Sequence, residues 1–268
     1  MPVAVVTGAT GQDGSYLCDV LVERGWTVHA VTRSADATAA PLPGGVVRHL
    51  GDLLEIESVT AAIKATEPDA VFNLAGITSV TESWLRPERT ARVTGSAVAG
   101  ILDASLQLQE RLGRRVSVVQ PSSAEIFGAP EISPQDESTP LRPLSPYGAA
   151  KAFAHDLVRI YRDRGLVASS VILYNHESPR RPTTFVTRKI TAGAAAIARG
   201  EATSLSLGSL DAVRDWGWAP DYVEAMIRVA ELPEPSDFVV ATGVAHSVRD
   251  FVAAAFDAAG LGDWERYV

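Results

Sequence analysis

Val3-Ala-Val-Val-Thr-Gly-Ala-Thr-Gly-Gln-Asp-Gly14 decides the fold. A short β-branched run, 3–7, leads directly into three glycines, and a helical pattern follows over 14–24. Glycines at 8, 11 and 14 let the backbone come close to a pyrophosphate. The helix N-terminus behind them supplies N–H donors and a favourable dipole. The spacing is G-x-x-G-x-x-G, and the strand–turn–helix context is what gives such a glycine set its meaning. Gly8, Thr10, Gly11, Gln12, Asp13 and Gly14 are therefore candidate cofactor-binding residues.

The pattern repeats outward from that turn. Further strands are expected at 27–32, 46–50, 70–74, 116–120 and 168–173, and amphipathic helices at 55–66, 89–112 and 146–164. Strands and helices alternating at these lengths indicate a parallel sheet covered on both faces. Such sheets bind ligands at the carboxyl ends of their strands. After about residue 174 the pattern loosens. Helices are expected at 185–199, 221–231 and 248–259, with 205–207, 238–241 and several loops between them. The expected fold is α/β: a Rossmann-type doubly wound parallel sheet over 1–174, then a small substrate-binding cap over 175–268, partly interleaved with the core. Residues 34–45 are rich in Ala, Pro and Gly and read as a loop.

The strand ends carry the next signals. Thr32-Arg33-Ser34 places a cation where an NAD site usually has Asp or Glu. Arg33 suits a ribose 2′-phosphate, which favours NADP. Asp52 and Leu53 follow the third strand and are expected to meet the adenine. Leu74, Ala75 and Gly76, in Asn73-Leu-Ala-Gly76, are expected to line the dinucleotide, with Thr78 and Ser79 beyond them near the substrate.

The fifth strand runs into Pro121-Ser-Ser-Ala-Glu-Ile-Phe-Gly128, and Ser145-Pro-Tyr-Gly-Ala-Ala-Lys151 opens the helix after it. Tyr147 and Lys151 are one helical turn apart and point the same way. An ammonium and a nicotinamide cation nearby would lower the tyrosine pKa, making it a usable base near neutral pH. Ser123 can share the hydrogen bond to a substrate hydroxyl. Glu125 adds what simple dehydrogenation does not need: a base for a second carbon. Oxidation acidifies the proton alpha to the new ketone, and loss of the neighbouring hydroxyl gives an enone to which hydride can return. The four residues together suggest dehydration by way of transient oxidation.

Composition sets outer limits. The 268 residues are 46% hydrophobic, enough for a large core. Lys+Arg number 24 against Asp+Glu 32, a net charge of -8, which argues against non-specific nucleic-acid binding. A single cysteine, Cys18, excludes an intrachain disulfide and speaks against a cysteine-built metal site; no metal is expected. Neither a signal peptide nor a transmembrane run is visible, so a cytoplasmic protein without membrane attachment is expected.

These residues closely resemble the extended short-chain dehydrogenase/reductase family, and within it the GDP-mannose 4,6-dehydratases. The resemblance covers nearly the whole chain. Its most specific pieces are Thr7-Gly-Ala-Thr-Gly-Gln-Asp-Gly-Ser-Tyr-Leu17, Asn175-His-Glu-Ser-Pro-Arg-Arg181, Phe185-Val-Thr-Arg-Lys-Ile190, Arg214-Asp-Trp-Gly217 with Asp221-Tyr-Val223, and Ala241-Thr-Gly-Val244. It implies that Ser123, Glu125 and Tyr147 do the chemistry and that Lys151 binds the cofactor, NADP, with Tyr147. His176 and Arg181 match cofactor contacts; Asn175, Lys189 and Arg214 match positions near the nucleotide sugar. In the implied cycle Tyr147 takes the 4-hydroxyl proton as hydride passes to NADP. Glu125 removes the C5 proton and helps protonate the departing 6-hydroxyl. Hydride then returns to C6, leaving a 4-keto-6-deoxy sugar.

Three departures from the family modify this expectation. The chain stops at Val268, where family members continue for several tens of residues over the nucleotide end of the substrate; a truncated cap with altered nucleotide recognition is expected. The 34–45 loop is short where the family uses the region in tetramer contacts, so a homodimer is expected, through the helices at 89–112 and 146–164. Ala124 replaces a small hydroxyl residue, and Pro182 follows Arg181 where Gly is common. The alternatives are an epimerase or ketoreductase acting on a smaller or different nucleotide, or an NADP-binding protein without turnover.

Overall fold

In the computed structural model, which describes residues 1–33 and 41–268, the opening run forms β1 (Val3–Thr7) and the residues behind its glycines form α1 (Gln12–Glu23). Most of the expected 34–45 loop, residues 34–40, lies outside the described residues. The chain divides into two units: Met1–Leu173 with Pro220–Val240, and Tyr174–Ala219 with Ala241–Val268.

The first unit is a seven-stranded parallel sheet. To β1 it adds β2 (Thr27–Thr32), β3 (Val47–Leu50), β4 (Ala70–Asn73), β5 (Ser117–Ser123), β6 (Ala168–Leu173) and β9 (Asp237–Val240), in the order β3-β2-β1-β4-β5-β6-β9. This is the doubly wound α/β architecture. Strand order reverses between β1 and β4, so the crevice beyond their carboxyl ends is the topological switch point. The inner strands are buried on both faces, which is why they read as largely apolar runs. On one face Val5, Val31, Val71 and Val118 pack with α2 (Ile56–Thr66), α5 (Ala97–Leu112) and α6 (Pro146–Asp163). On the other, Ala4, Val6, Phe72 and Val119 meet Leu17, Cys18 and Leu21 of α1 and Tyr222, Met226 and Ile227 of α8 (Ala219–Glu231). Each large side chain buried this way contributes about 1.5–3 kcal/mol.

Within the first unit, two elements differ most from expectation. The helix expected over 89–112 is divided: α3 (Val80–Leu85) and α4 (Pro87–Thr90) precede a π-helical turn, Ala91–Ser96, before α5 begins. In that turn Gly95 lies against α6; a β-carbon there would come within 3.3 Å of the Phe153 ring. The fifth strand continues through Pro121 to Ser123. A proline is unfavourable inside a ladder because it has no N–H to donate. Here, though, the ladder with β4 ends at Phe72↔Val119, while β6 pairs on to Ser123. The missing N–H falls where no neighbouring strand needs it.

The far edge is tied down as well. Arg162 of α6 forks onto Asp237 of β9 at 2.5 and 3.3 Å, and its Nε donates to the Ala168 carbonyl at 2.8 Å. The Glu137 carboxylate accepts the Val239 N–H at 2.7 Å, which occupies part of the open edge.

The second unit has its own small sheet, β10-β8-β7, from β7 (Asn175–Glu177), β8 (Val213–Trp218) and β10 (Ala245–Ser247). Ile190, Ala194 and Ile197 of α7 (Val186–Ala198) pack on Val248, Val252 and Phe256 of α9 (Val248–Ala258). A capping box of Ser247 and Asp250 starts α9. Among the described residues no helix is long and apolar enough to cross a membrane.

Candidate active site

The glycine turn is built for close approach. Gly8 has φ +67°, and a β-carbon on it would lie 2.7 Å from the Ala75 amide nitrogen. One on Gly14 would lie 2.2 Å from the Gly8 carbonyl oxygen. The turn closes with Gly11 N–H donating to the Gly8 carbonyl at 2.9 Å. Gly11 is the N-cap of α1 and no side chain caps it. An uncapped helix N-terminus beside side-chain-free backbone fits the pyrophosphate of a dinucleotide. Thr10 is half-buried and Gln12 buried, with its amide donating to Asp13 at 3.1 Å. Arg33 is exposed at the end of β2. Asp52 accepts the Leu54 N–H at 2.9 Å in a local turn, and Leu53 is buried in the core.

Leu74, Ala75 and Gly76 follow β4 directly. The loop is held from two sides: Ala75 N–H donates to Thr7 Oγ1 at 3.0 Å, and Ile77 N–H to Thr94 Oγ1 at 3.0 Å. Thr94 sits in the π-helical turn, which aims it at this loop. Ser79 caps α3 by accepting the Glu82 N–H at 3.1 Å; Thr78 is exposed.

Ser123, Glu125, Tyr147 and Lys151 are brought to one end of the sheet by backbone contacts. Ser123 ends β5 and its Oγ accepts the Glu125 N–H at 3.3 Å, starting a short 3-10 turn, Ala124–Ile126. The chain loops out and returns where Arg142 N–H donates to the Ile126 carbonyl at 2.9 Å. Ser145 then caps α6, accepting the Gly148 N–H at 3.0 Å. Gly148 lies against the 125 turn so closely that a β-carbon would be 2.6 Å from the Glu125 carbonyl oxygen. That contact sets the first turn of α6, and so Tyr147, beside Glu125. Tyr147 and Lys151 are both buried, with the Lys151 Nζ 5.9 Å from the Tyr147 ring centroid. Nζ donates to the Pro121 carbonyl at 2.8 Å. Burial pushes the Lys151 pKa down to about 8, against the smaller opposing pull of the Asp13 carboxylate.

In the second unit, His176 is buried on β7 with its Nδ1 2.7 Å from the Tyr174 carbonyl, and Asn175 beside it is half-buried. Arg181 stacks its guanidinium over Phe185 at 3.7 Å and lies 3.4 Å from Glu177, whose carboxylate also accepts the Thr187 hydroxyl at 2.5 Å. Lys189 donates to the Ser206 carbonyl at 2.7 Å. Arg214 is exposed on β8. The next residue, Asp215, clamps a turn by accepting from the N–H and hydroxyl of Thr242 and the N–H of Gly243, at 2.7–3.1 Å. Among the described residues no group of three or more His, Cys, Asp or Glu is placed to hold a metal ion.

Known proteins are similar to this chain over nearly its whole length. The family model for GDP-mannose 4,6 dehydratase matches residues 5–267. The human GDP-mannose 4,6 dehydratase is 42% identical over 267 residues, 95% of this chain and 71% of that protein. The enzyme of the same name from Vibrio cholerae serotype O1 is 41% identical over 262 residues, covering 93% and 70%. A GDP-mannose 4,6-dehydratase of Sordaria araneosa is 42% identical over 262 residues, 96% of this chain but 48% of its own. The chain thus spans about half the length of the Sordaria relative and about seven tenths of the other two. Among solved structures, the UDP-glucose 4-epimerase of Thermus thermophilus in complex with NAD superposes with a TM-score of 0.83 at 29% identity, covering 96% of this chain and 83% of that one. MoeE5 in complex with UDP-glucose and NAD gives 0.81 at 28%, covering 97% and 82%.

Proposed function

The chain belongs to the GDP-mannose 4,6 dehydratase family, and from that membership we propose that it is a nucleotide-sugar 4,6-dehydratase, a hydro-lyase of the extended short-chain dehydrogenase/reductase type. The observation that supports it is the packing of Gly148 against the Glu125 backbone carbonyl, which brings the backbone of a residue with a carboxylate side chain to the first turn of α6. A plain dehydrogenase or epimerase has no use for that carboxylate.

Each residue has one task. Tyr147 takes the proton of the sugar 4-hydroxyl, and Ser123 hydrogen-bonds the same oxygen. The Lys151 ammonium stabilises the tyrosine as phenolate and holds the cofactor. A nicotinamide nucleotide, when bound, supplies the hydride acceptor that makes C4 a ketone and the donor that saturates C6. Glu125 removes the C5 proton, now acidic, and delivers a proton to the 6-hydroxyl, which departs as water. One proton must return to C5, and the one Tyr147 took from the 4-hydroxyl balances the cycle.

Gly8, Gly11 and Gly14, with the N-terminus of α1, form the pyrophosphate cradle; Thr10, Gln12, Asp13, Asp52, Leu53 and the 74–76 loop complete the cofactor contacts of the first unit. Arg33 supports NADP over NAD, since a guanidinium matches a 2′-phosphate. By the family match, His176 and Arg181 are cofactor residues in this reading, and Asn175, Lys189 and Arg214 nucleotide-sugar residues. Exposed Phe153 and Ile160 on α6 support a homodimer through that helix. A nucleotide-sugar substrate and a phosphorylated nicotinamide cofactor fit a cytoplasmic location.

Mass spectrometry of the purified protein incubated with NADP and GDP-mannose tests the reading. The expected product is lighter by one water. An altered sugar of unchanged mass would establish epimerisation instead. No reaction with GDP-mannose or with any other guanosine or uridine diphosphate sugar would remove the enzymatic reading.

A further inference from the structure

We propose that Gln120 is a positioning residue that holds Lys151 in place for the cofactor by fixing the Pro121 carbonyl. This rests on the reading of Lys151 as a cofactor-binding residue.

A strand residue presents its N and its C=O to the same side. Pro121 lies beyond the last β4 partner, so its carbonyl has no strand to bond. It is buried, and a buried carbonyl is paired. Two side chains pair it: Lys151 Nζ at 2.8 Å and Gln120 Nε2 at 3.0 Å. The glutamine is itself fixed from behind. Its Oε1 accepts from Asn73 Nδ2 at 2.7 Å, Asn73 Oδ1 accepts from Thr7 Oγ1 at 2.7 Å, and Thr7 Oγ1 accepts from Ala75 N–H at 3.0 Å. Thr7, Asn73, Gln120 and Lys151 are all more than nine-tenths buried.

The donors run in one sense, from the Ala75 amide across three strands to the Pro121 carbonyl, where Lys151 closes the chain. Its two ends are the loop proposed to line the dinucleotide and the lysine proposed to hold it. Gln120 is the one member that contacts both the Asn73 amide and the carbonyl under Lys151. An amide suits the place, since it accepts on one side and donates on the other. Such a buried, fully paired chain is stiff, and loss of one link is felt at its neighbours.

The test uses the full chain and two readouts: NADPH affinity by fluorescence titration, and turnover, each across pH. Gln120→Leu, Lys151→Met and the double variant are compared with the unsubstituted protein. Gln120→Leu is expected to weaken NADPH binding about fivefold to tenfold. The double variant is expected to bind no more weakly than Lys151→Met alone, because the glutamine acts through the lysine. A full additional loss in the double variant overturns the proposal. If Lys151→Met leaves affinity and turnover unchanged, the cofactor reading itself fails and the proposal falls with it. Gln120→Glu covers the case in which the leucine variant does not fold. It keeps the acceptor for Asn73 but sets a carboxylate against the Pro121 carbonyl, near the ammonium. The alkaline limb of NADPH binding is then expected to move up by about half a pH unit or more. A folded Gln120→Glu protein with an unmoved limb overturns the proposal.

Discussion

Gly14 faces the carbonyl oxygen of Gly8 so closely that a single methyl group would sit 2.2 Å from it. The oxygen belongs to backbone and cannot swing away, so Gly14→Ala must push α1 off the turn. A misfit of this kind costs about 1–3 kcal/mol. The larger effect falls on the cofactor, because the displaced helix N-terminus is the proposed pyrophosphate site. NADPH titration is expected to show at least roughly a tenfold loss of affinity, beyond what the lowered thermal midpoint explains.

Lys151 carries its charge into a buried site, which lowers its pKa from 10.5 to about 8. The folded state therefore binds fewer protons than the unfolded state between those values, and stability from this group rises as pH goes from about 8 to about 10.5. Below about pH 8 the full penalty is present. Lys151→Met should then stabilise the cofactor-free protein at pH 7 by about 3 kcal/mol at most, less whatever the lost Pro121 hydrogen bond contributed. Urea denaturation at pH 7 and pH 9.5 checks the sign. The gain should shrink at the higher pH; a gain that grows would contradict the assignment.

Arg33 stands exposed at the end of β2. Replacing it by aspartate exchanges the proposed phosphate partner for a partner of two ribose hydroxyls. Arg33→Asp should lower NADP affinity about tenfold to a hundredfold and raise that for NAD. Parallel titrations with the two cofactors measure the switch. An unchanged ratio would mean that the 2′-position is read elsewhere.

Glu125 lies beside the tyrosine turn, yet its proposed task is on a different carbon. Glu125→Gln should cut water loss at least about a hundredfold while still allowing cofactor reduction, seen as absorbance at the reduced nicotinamide band. Unimpaired water loss would take Glu125 out of the mechanism.

Legibility in the sequence followed the physics of each element. β1 and its glycine turn were readable because an apolar run, three glycines and a helix start coincide within a dozen residues. The Tyr147–Lys151 and Ser123–Glu125 pairs stood out because their residue types are chemically conspicuous and lie at strand and helix boundaries. The extension of β5 through Pro121 was not readable, since a proline marks the end of a ladder unless one knows that β4 has already stopped. β7 and β10 are three residues each, too short for a period-two pattern to register. Nothing local in 220–240 says which sheet it will join. Thr94 and Gln120 are illegible for a simpler reason: an uncharged polar side chain within a helix or strand carries no signal until its partners are known.

That return of Pro220–Val240 to the first unit has a consequence for how the protein is made. The edge of β6 is covered by β9, and the α1 face of the sheet by Tyr222, Met226 and Ile227. On the ribosome, both covers emerge only after Tyr174–Ala219 has been synthesised. Until then the nascent sheet carries a bare edge and an uncovered apolar face, the two features that invite wrong pairing. The dinucleotide fold thus starts at β1, but it can be sealed only after the first stretch of the second unit has been made.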